Sequence, residues 1–414
     1  MVTVRPISHA LVPVDSEAAA RLCSPNYDEF QSDEEIVAFI RNQPDSVLQI
    51  TMPHCRAAPD APAVAEGSPQ ALELAAGEMA ALRKSGLTRE IRNVAWIYEI
   101  ADPRRPGVRQ IGLGGMAQID EIRTEKNPGA PIIRNEGIRE EKAAGRAELI
   151  QATRAFIGIV NNAIDDADGR VTDALVRHAD AHLCDYEASD EEGNTHKSWL
   201  IDDSDAQALF FHVLATEPCA YVADGNHRSN AAAMLGSGEF LAVFFPAQSM
   251  GLAPYNRLVD APPMARADLE SALQRSFRVT QPDASGPYQP AAIHDIGLYT
   301  QGTWYRLRPR DGMVDPAHAV ENIDSHIVHR FLFDGLFGIS DPRDKRLTFV
   351  GGNRDAAYLQ EQVDKGLHAY AVTLAPVRIE QFIDVCRQNR IMPPKSTWFQ
   401  PKIRSGLMVA LRSE

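Results

Sequence analysis

Residues 219–233 read Cys-Ala-Tyr-Val-Ala-Asp-Gly-Asn-His-Arg-Ser-Asn-Ala-Ala-Ala. A short apolar strand at 220–223 runs into a polar turn, and an alanine-rich helix, expected at 229–235, starts at once. That order aims free backbone N–H groups and the positive end of a helix dipole at one point, where an anion binds well. Gly225 permits the close backbone approach that a phosphate cradle needs. Asn226, His227 and Ser229 add polar groups, and Arg228 adds a guanidinium fork that matches phosphate oxygens. Asp224 either holds Mg²⁺ between phosphates or caps the helix. A capped helix with an exposed His and Arg is the plain alternative. The crowding of five polar residues into one strand-to-helix turn favours the phosphate site.

Other polar groups are less pointed. Tyr27 and Asp28 follow Ser24-Pro25-Asn26 and either line a pocket or form a Pro-directed turn with Asp28 as a cap. Arg139, Arg146 and Arg154 recur at steps of seven and eight, loosely on one side of a helix. One of Arg139, Arg146 and Arg154 is a candidate to meet a carboxylate or phosphate, the plainer reading for Arg139 being a solvated face shared with Glu140 and Glu141. Lys395, Ser396, Thr397 and Lys402 crowd between prolines near the C-terminus. Two lysines and two hydroxyls at that spacing suit phosphate contacts, or else form a rigid turn feeding a last strand at 403–411. The remaining histidines, His54 and the His326/His329 pair among them, show no metal-ligand spacing with a carboxylate partner.

These residues need elements to hold them. Alternating apolar stretches predict strands at 47–52, 94–100, 220–223, 240–245, 303–307, 347–350 and 369–374. Leu149, Thr153, Phe156 and Val160 fall at helical spacing, so 143–161 is expected to be an amphipathic helix. Further helices are expected at 33–41, 68–85, 204–215, 229–235, 266–276, 324–337, 355–365 and 379–388. Strands and helices mix without a strict βαβ rhythm, which reads as α+β. The segment 281–290 reads as a linker, placing an N-terminal region at 1–285 and a smaller C-terminal α/β unit, packed over the site, at 286–414. The acidic stretch 185–194 reads as a solvated loop.

At 414 residues the chain can bury an ample core without staples. Its formal charge of -14 argues against a general nucleic-acid or anionic-membrane binder. Five cysteines without a short-spaced pair indicate neither a disulfide framework nor a zinc site. The start, Met-Val-Thr-Val-Arg-Pro, has no basic and apolar leader, and no apolar run approaches the ~20 residues of a spanning helix. A cytoplasmic location without membrane contact is expected.

The Asp224–Arg228 turn resembles the Asp-Gly-His-His-Arg signature of domain-of-unknown-function family 1015, which is related to the ParB/sulfiredoxin superfamily and its free serine kinases. Arg5-Pro6 and Ser24–Asp28 are similar to that family's opening motif, Ala152-Thr153-Arg154-Ala155 to its helical motif, and Trp199–Asp202 to its next strand. Met392–Phe399, Pro401-Lys402 and Ser405-Gly406-Leu407 are similar to its closing signature. The resemblance implies a ParB/sulfiredoxin-like mixed-sheet core with additional strands. Sulfiredoxins carry a reactive Cys where this chain has Asn226, which is no thiolate. A ParB-like DNA clamp is opposed by the charge and by the lack of a basic helix-turn-helix.

The serine-kinase branch resembles the chain best. It implies a kinase transferring a phosphoryl group from ATP or ADP, with Mg²⁺, to the hydroxyl of a free, serine-like amino acid. Ile133-Arg134-Asn135-Glu136 matches the segment holding that branch's general base, which nominates Glu136 as the base, with Asp224 and His227 beside it. Tyr255-Asn256-Arg257 is similar to a family Thr-His-Arg, and Arg257 is either an anion clamp or half of a structural ion pair. Asn135, Asn226 and Asn256 stand where the family has His. Asn hydrogen-bonds but takes up no proton, so the three together imply a retuned, convergent pocket. The partners expected are a nucleotide and a small hydroxylated metabolite, with a homodimer allowed. A nucleotide-binding switch without turnover and a phosphometabolite hydrolase remain the alternatives.

Overall fold

A computed structural model of the chain describes residues 1–56, 64–283 and 285–412. They form two units. The first comprises residues 1–134, 138–250 and 401–414, and the second residues 135–137 and 251–400.

The first unit is built on one mixed sheet with twelve strands among the described residues. Its main path runs Ile132–Ile133, Ala220–Asp224, Val160–Ile164, Glu239–Pro246, Gln110–Gln118, Thr88–Ala101, Ile7–Pro13, Val409–Leu411 and Ala155–Phe156. Two pairings are parallel, Ala220–Asp224 on Ile132–Ile133 and Glu239–Pro246 on Val160–Ile164. The other pairings are antiparallel, which is the mixture that α+β patterning produces. Glu239–Pro246 is buried along almost its whole length, so it reads as a continuous apolar run. Helices Pro69–Leu82, Glu140–Thr153, Arg170–Ala181 and Asn226–Met234 belong to this unit.

The second unit has a six-stranded antiparallel sheet, ordered Phe277–Thr280, Thr303–Pro309, Ile296–Thr300, Tyr370–Leu374, Asn256–Val259 and Leu347–Val350. Its core gathers Leu269, Leu273, Phe277, Leu298, Ile327 and Phe333. A short ribbon pairs Gly251–Ala253 with Trp398–Gln400. No helix among the described residues is long and apolar enough to cross a membrane.

Several expectations are corrected. The unit boundary falls at 250/251, not at 285/286, because Asn256–Val259 is an inner strand of the second sheet, bonded on both sides. The described residues from 401 to 412 return to the first unit. The expected linker 281–290 includes Ala284, which lies outside the described residues. The expected strand at 47–52 is a single helical turn, Leu48–Thr51: Val47 and Ile50 face one cluster and Leu48 and Met52 another, at helical steps of three and four. The helix expected at 143–161 runs Glu140–Thr153 and stops where Arg154 turns left-handed (φ 53°). Phe156 and Val160, which continued its periodicity, lie on two strands. The last strand covers only Val409–Leu411. The acidic stretch 185–194 contains the strand Tyr186–Ser189, and its Asp190 is buried against Arg404.

Candidate functional site

The strand Ala220–Asp224 is held on both edges, and its register slips between Val222 and Asp224, where it leaves the sheet. Gly225 follows at φ 101° and opens the helix Asn226–Met234. A Cβ at Gly225 would lie 3.0 Å from Arg228 Nε and 3.2 Å from Val160 Cα, so the turn needs glycine for conformation and for space. Ala231 and Ala232, both buried, let the helix lie close to its neighbours. The helix therefore begins three residues earlier than its alanines indicate, and Asn226, His227 and Arg228 sit on its first turn.

Arg228, His227 and Ser229 of the turn are each held by hydrogen bonds. Arg228 Nη2 donates to Asp224 Oδ1 (3.1 Å) and Nη1 donates to the Ile159 carbonyl. Its stem passes over Gly158, where a Cβ would come within 2.8 Å of Cδ. The Arg139 amide donates to His227 Nε2 (3.1 Å), which leaves Nδ1 to carry the proton of the neutral ring. Ser229 Oγ donates to the Asn226 carbonyl (3.1 Å).

Lys402 joins this group from the far end of the chain, its Nζ donating to Asp224 Oδ2 (2.8 Å) with the side chain only 8% exposed. Burial alone would pull the Lys402 ammonium down. The Asp224, Asp28 and Glu29 carboxylates outweigh it and hold the pKa above the usual lysine range. Asp28 and Glu29 lie on the 3₁₀ turn Tyr27–Glu29. On the same turn the Tyr27 ring stacks under Arg146, whose guanidinium carbon is 3.9 Å from the ring centroid while its Nη1 donates to the Thr51 carbonyl (3.1 Å). Between them opens a small, largely apolar pocket of about 60 Å³, lined by Tyr27, Arg146, Leu149, Phe156, Ile157 and Arg228 among others. The first unit thus gathers Tyr27, Asp28, Arg146, Asp224–Ser229 and Lys402. Arg154 does not join them: exposed at its helix end, it offers its carbonyl to the Arg412 amide.

Each carboxylate oxygen of Asp224 accepts from a cation, Oδ1 from Arg228 and Oδ2 from Lys402, so Asp224 orients both side chains.

The other candidates belong to the second unit. The Asn135 carbonyl accepts from the Met392 amide (2.9 Å), and Glu136 bridges to Met392 and accepts from the Lys395 amide through Oε1 (3.4 Å). Lys395 is left-handed (φ 57°), and its carbonyl accepts from Arg257 Nη2 (2.9 Å). Arg257 is buried, packs over the Phe349 ring and donates otherwise to the Tyr255 and Asn256 carbonyls. Burial lowers its pKa to about 10. Its guanidinium is spent on backbone carbonyls, neither in an ion pair nor on an open face, which corrects both expectations for it. Asn256 donates to Gln289 and accepts from the Leu374 amide (both 3.0 Å), a structural use. Ser396 Oγ meets Ser325 Oγ (2.7 Å) and donates to Pro393, and Thr397 is half-buried before the strand Trp398–Gln400. The three asparagines are accordingly divided, Asn226 in the first unit and Asn135 and Asn256 in the second.

Sequence reasoning missed a buried network in the first unit. Arg404 forks onto Glu29 (3.0 and 2.9 Å) and onto Asp190 (2.9 Å), and Asp190 also meets His196 Nε2 (3.0 Å), whose Nδ1 meets the Tyr98 hydroxyl (2.7 Å). Burial pushes Glu29 up to about 7 against the pull of Arg404 and Lys402. For Asp190, burial is outweighed by the His196 bond, the Arg404 charge and Asn194, which hold the carboxyl well below its usual range. Two residues from Lys402, Arg404 fixes the strap that carries that lysine. The only sequence signal was its place inside the closing motif.

No curated protein matches the chain. Similar solved structures include a free serine kinase variant in complex with AMP (11% identity, 69% of this chain and 87% of that one, TM-score 0.39). A conserved hypothetical protein from Pyrococcus furiosus is also similar (10% identity, 70% and 93% covered, TM-score 0.37). So is SbnI with C-terminal truncation from Staphylococcus aureus (12% identity, 72% and 87% covered, TM-score 0.38). The family described as "Protein of unknown function (DUF1015)" matches residues 4–328, and the chain belongs to that family.

Proposed function

We propose that the first unit has a ParB/sulfiredoxin-like core and binds the phosphates of ATP or ADP at the Asp224–Ser229 turn. In this reading the chain transfers a phosphoryl group to the hydroxyl of a small, serine-like amino acid. The observation that carries the nucleotide half is the left-handed Gly225 opening a helix whose first turn holds His227 and Arg228, with Lys402 beside them. Arg228, Lys402 and the free N–H groups of the helix N-terminus supply the donors that phosphate oxygens bind best. The apolar pocket next to Arg228, with Arg146 stacked on Tyr27 at its wall, offers a surface on which a base would pack. Phosphoryl transfer demands little covalent chemistry beyond alignment, positive charge and an acceptor for the hydroxyl proton. Glu136 is nominated for that last part by the family resemblance. Its hydrogen bond to the Lys395 amide favours a second reading, a nucleotide-binding protein without turnover, in which Glu136 only shapes the Lys395 turn.

Two measurements separate them. ATP or ADP should raise the melting temperature of the chain and not that of Arg228→Met; no shift with any nucleotide overturns the phosphate site. Labelled phosphate should then pass to serine or a related hydroxy amino acid, at least 100-fold more slowly in Glu136→Gln. Binding without transfer to any acceptor leaves the second reading, and phosphate release from phosphoserine without an acceptor selects a hydrolase.

A further inference from the structure

Away from that turn, the first unit brings together three side chains of a kind that binds transition metals. Asp33 opens the helix Asp33–Asn42, and His54 and Cys55 lie on the 3₁₀ turn Pro53–Cys55. One oxygen, one nitrogen and one sulfur of the three lie within 4.8 Å of one another, the one such group of His, Cys, Asp and Glu among the described residues. His54 is the telling member. Its side chain is 7% exposed, and its Nε2 makes no hydrogen bond although it lies 3.5 Å from Asp33 Oδ2. A buried, unbonded ring nitrogen is costly to leave so. Nitrogen and oxygen ligands about 2.0–2.2 Å from one tetrahedral zinc stand roughly 3.4 Å apart, close to the spacing seen here.

We propose that Asp33, His54 and Cys55 bind a single Zn²⁺ with a fourth position open. The set mixes one carboxylate, one imidazole and one thiol, and N and S donors select zinc over magnesium or calcium. Cys55 is packed among Ile36, Ile40, Leu48 and Met52, which supply the apolar shell, while Asp33, 65% exposed, leaves an entry path from solvent. The field suits a cation. Asp33, Glu34 and Glu35 in the first helical turn oppose the helix dipole, and Arg56, the nearest cation in sequence, is paired with Glu78 (3.0 Å). On binding, the S–H bond breaks, the Sγ–Zn bond forms, and the proton leaves to solvent. The ion would clip the turn Pro53–Cys55 to the helix Asp33–Asn42. That turn follows Thr51 and Met52, whose carbonyl and sulfur both contact Arg146.

The test titrates the full chain, stripped with chelator and kept reduced, with Co²⁺ and then displaces it with Zn²⁺. One equivalent of Co²⁺ should give tetrahedral visible bands and a thiolate-to-cobalt charge-transfer band, both lost on adding Zn²⁺. The charge-transfer band should vanish in Cys55→Ser, binding should weaken at least tenfold in His54→Ala and in Asp33→Asn, and zinc should raise the melting temperature of the unsubstituted chain alone. No charge-transfer band in the unsubstituted chain, or one that survives Cys55→Ser, overturns the site. Should the two buried variants fail to fold, exposed Asp33→Asn decides, and unchanged cobalt affinity there overturns it.

Discussion

At the scale of single residues, this protein invests charge in its interior and compensates it almost completely. Arg404 is the clearest case, 2% exposed between Glu29 and Asp190. Removing one member of a buried ionic group leaves the others uncompensated, which costs more than the pair contributes. Arg404→Met should therefore destabilise the fold by about 3–5 kcal/mol in denaturant titration; a loss under ~1 kcal/mol would show that water reaches Glu29 and Asp190. The same network has a pH signature. Asp190 is held below its ordinary pKa, so its contribution is present above about pH 4 and disappears as the pH falls and the carboxyl protonates. The stability gap between the unsubstituted chain and Asp190→Asn should narrow on acidification below about pH 4, and a gap that widens there would reverse the assignment. None of this was legible in sequence. An acidic run at 185–194 reads as solvent-facing, and its burial depends on an arginine 214 residues away.

At the scale of elements, legibility followed how local the deciding contact is. The strand-to-helix turn at 220–234 could be read because a glycine, a polar cluster and an alanine run are adjacent. The helix Glu140–Thr153 could not be bounded, because Arg154 is a residue type that seldom turns left-handed and the apolar spacing continues through two strands. These two left-handed positions predict opposite outcomes. Gly225→Ala sets a methyl against Arg228 and Val160 in a backbone region that alanine avoids, and should cost about 1–3 kcal/mol while releasing the first turn of its helix. Arg154→Gly relieves the strain at an exposed helix end and should raise stability by about 0.5–1 kcal/mol. Thermal melts of both variants decide; equal signs would mean that the two backbone conformations are not retained in solution.

At the scale of the whole molecule, chain order and unit membership disagree. The second unit draws every strand of its six-stranded sheet from residues 251–400, with only residues 135–137 lent from elsewhere. The first unit depends on the chain's end: Val409–Leu411 pairs with both Ile7–Pro13 and Ala155–Phe156, and residues 402 and 404 bring the cations that Asp224, Glu29 and Asp190 require. Sequence reading placed the boundary inside the second sheet because a Pro/Gly stretch marks a loop, and a loop within a unit has the same composition as one between units. Contacts such as Asp224 to Lys402 and Glu136 to Lys395 span 178 and 259 residues, and patterning along the chain carries no information about them. This topology makes an asymmetric prediction for fragments. Residues 251–400 expressed alone should fold cooperatively, because their core and all six strands are contiguous. Residues 1–250 alone should not, because removing 401–414 opens the edge of Ile7–Pro13, uncovers Leu11, Val47 and Ala155, and strands the buried Glu29 and Asp190 and the half-buried Asp224. Adding 401–414 through a linker to residues 1–250 should restore a cooperative melt. A fragment 1–250 that melts cooperatively without that segment would show that the strand pairing at Val409–Leu411 and the cations of 402 and 404 are dispensable to the first unit.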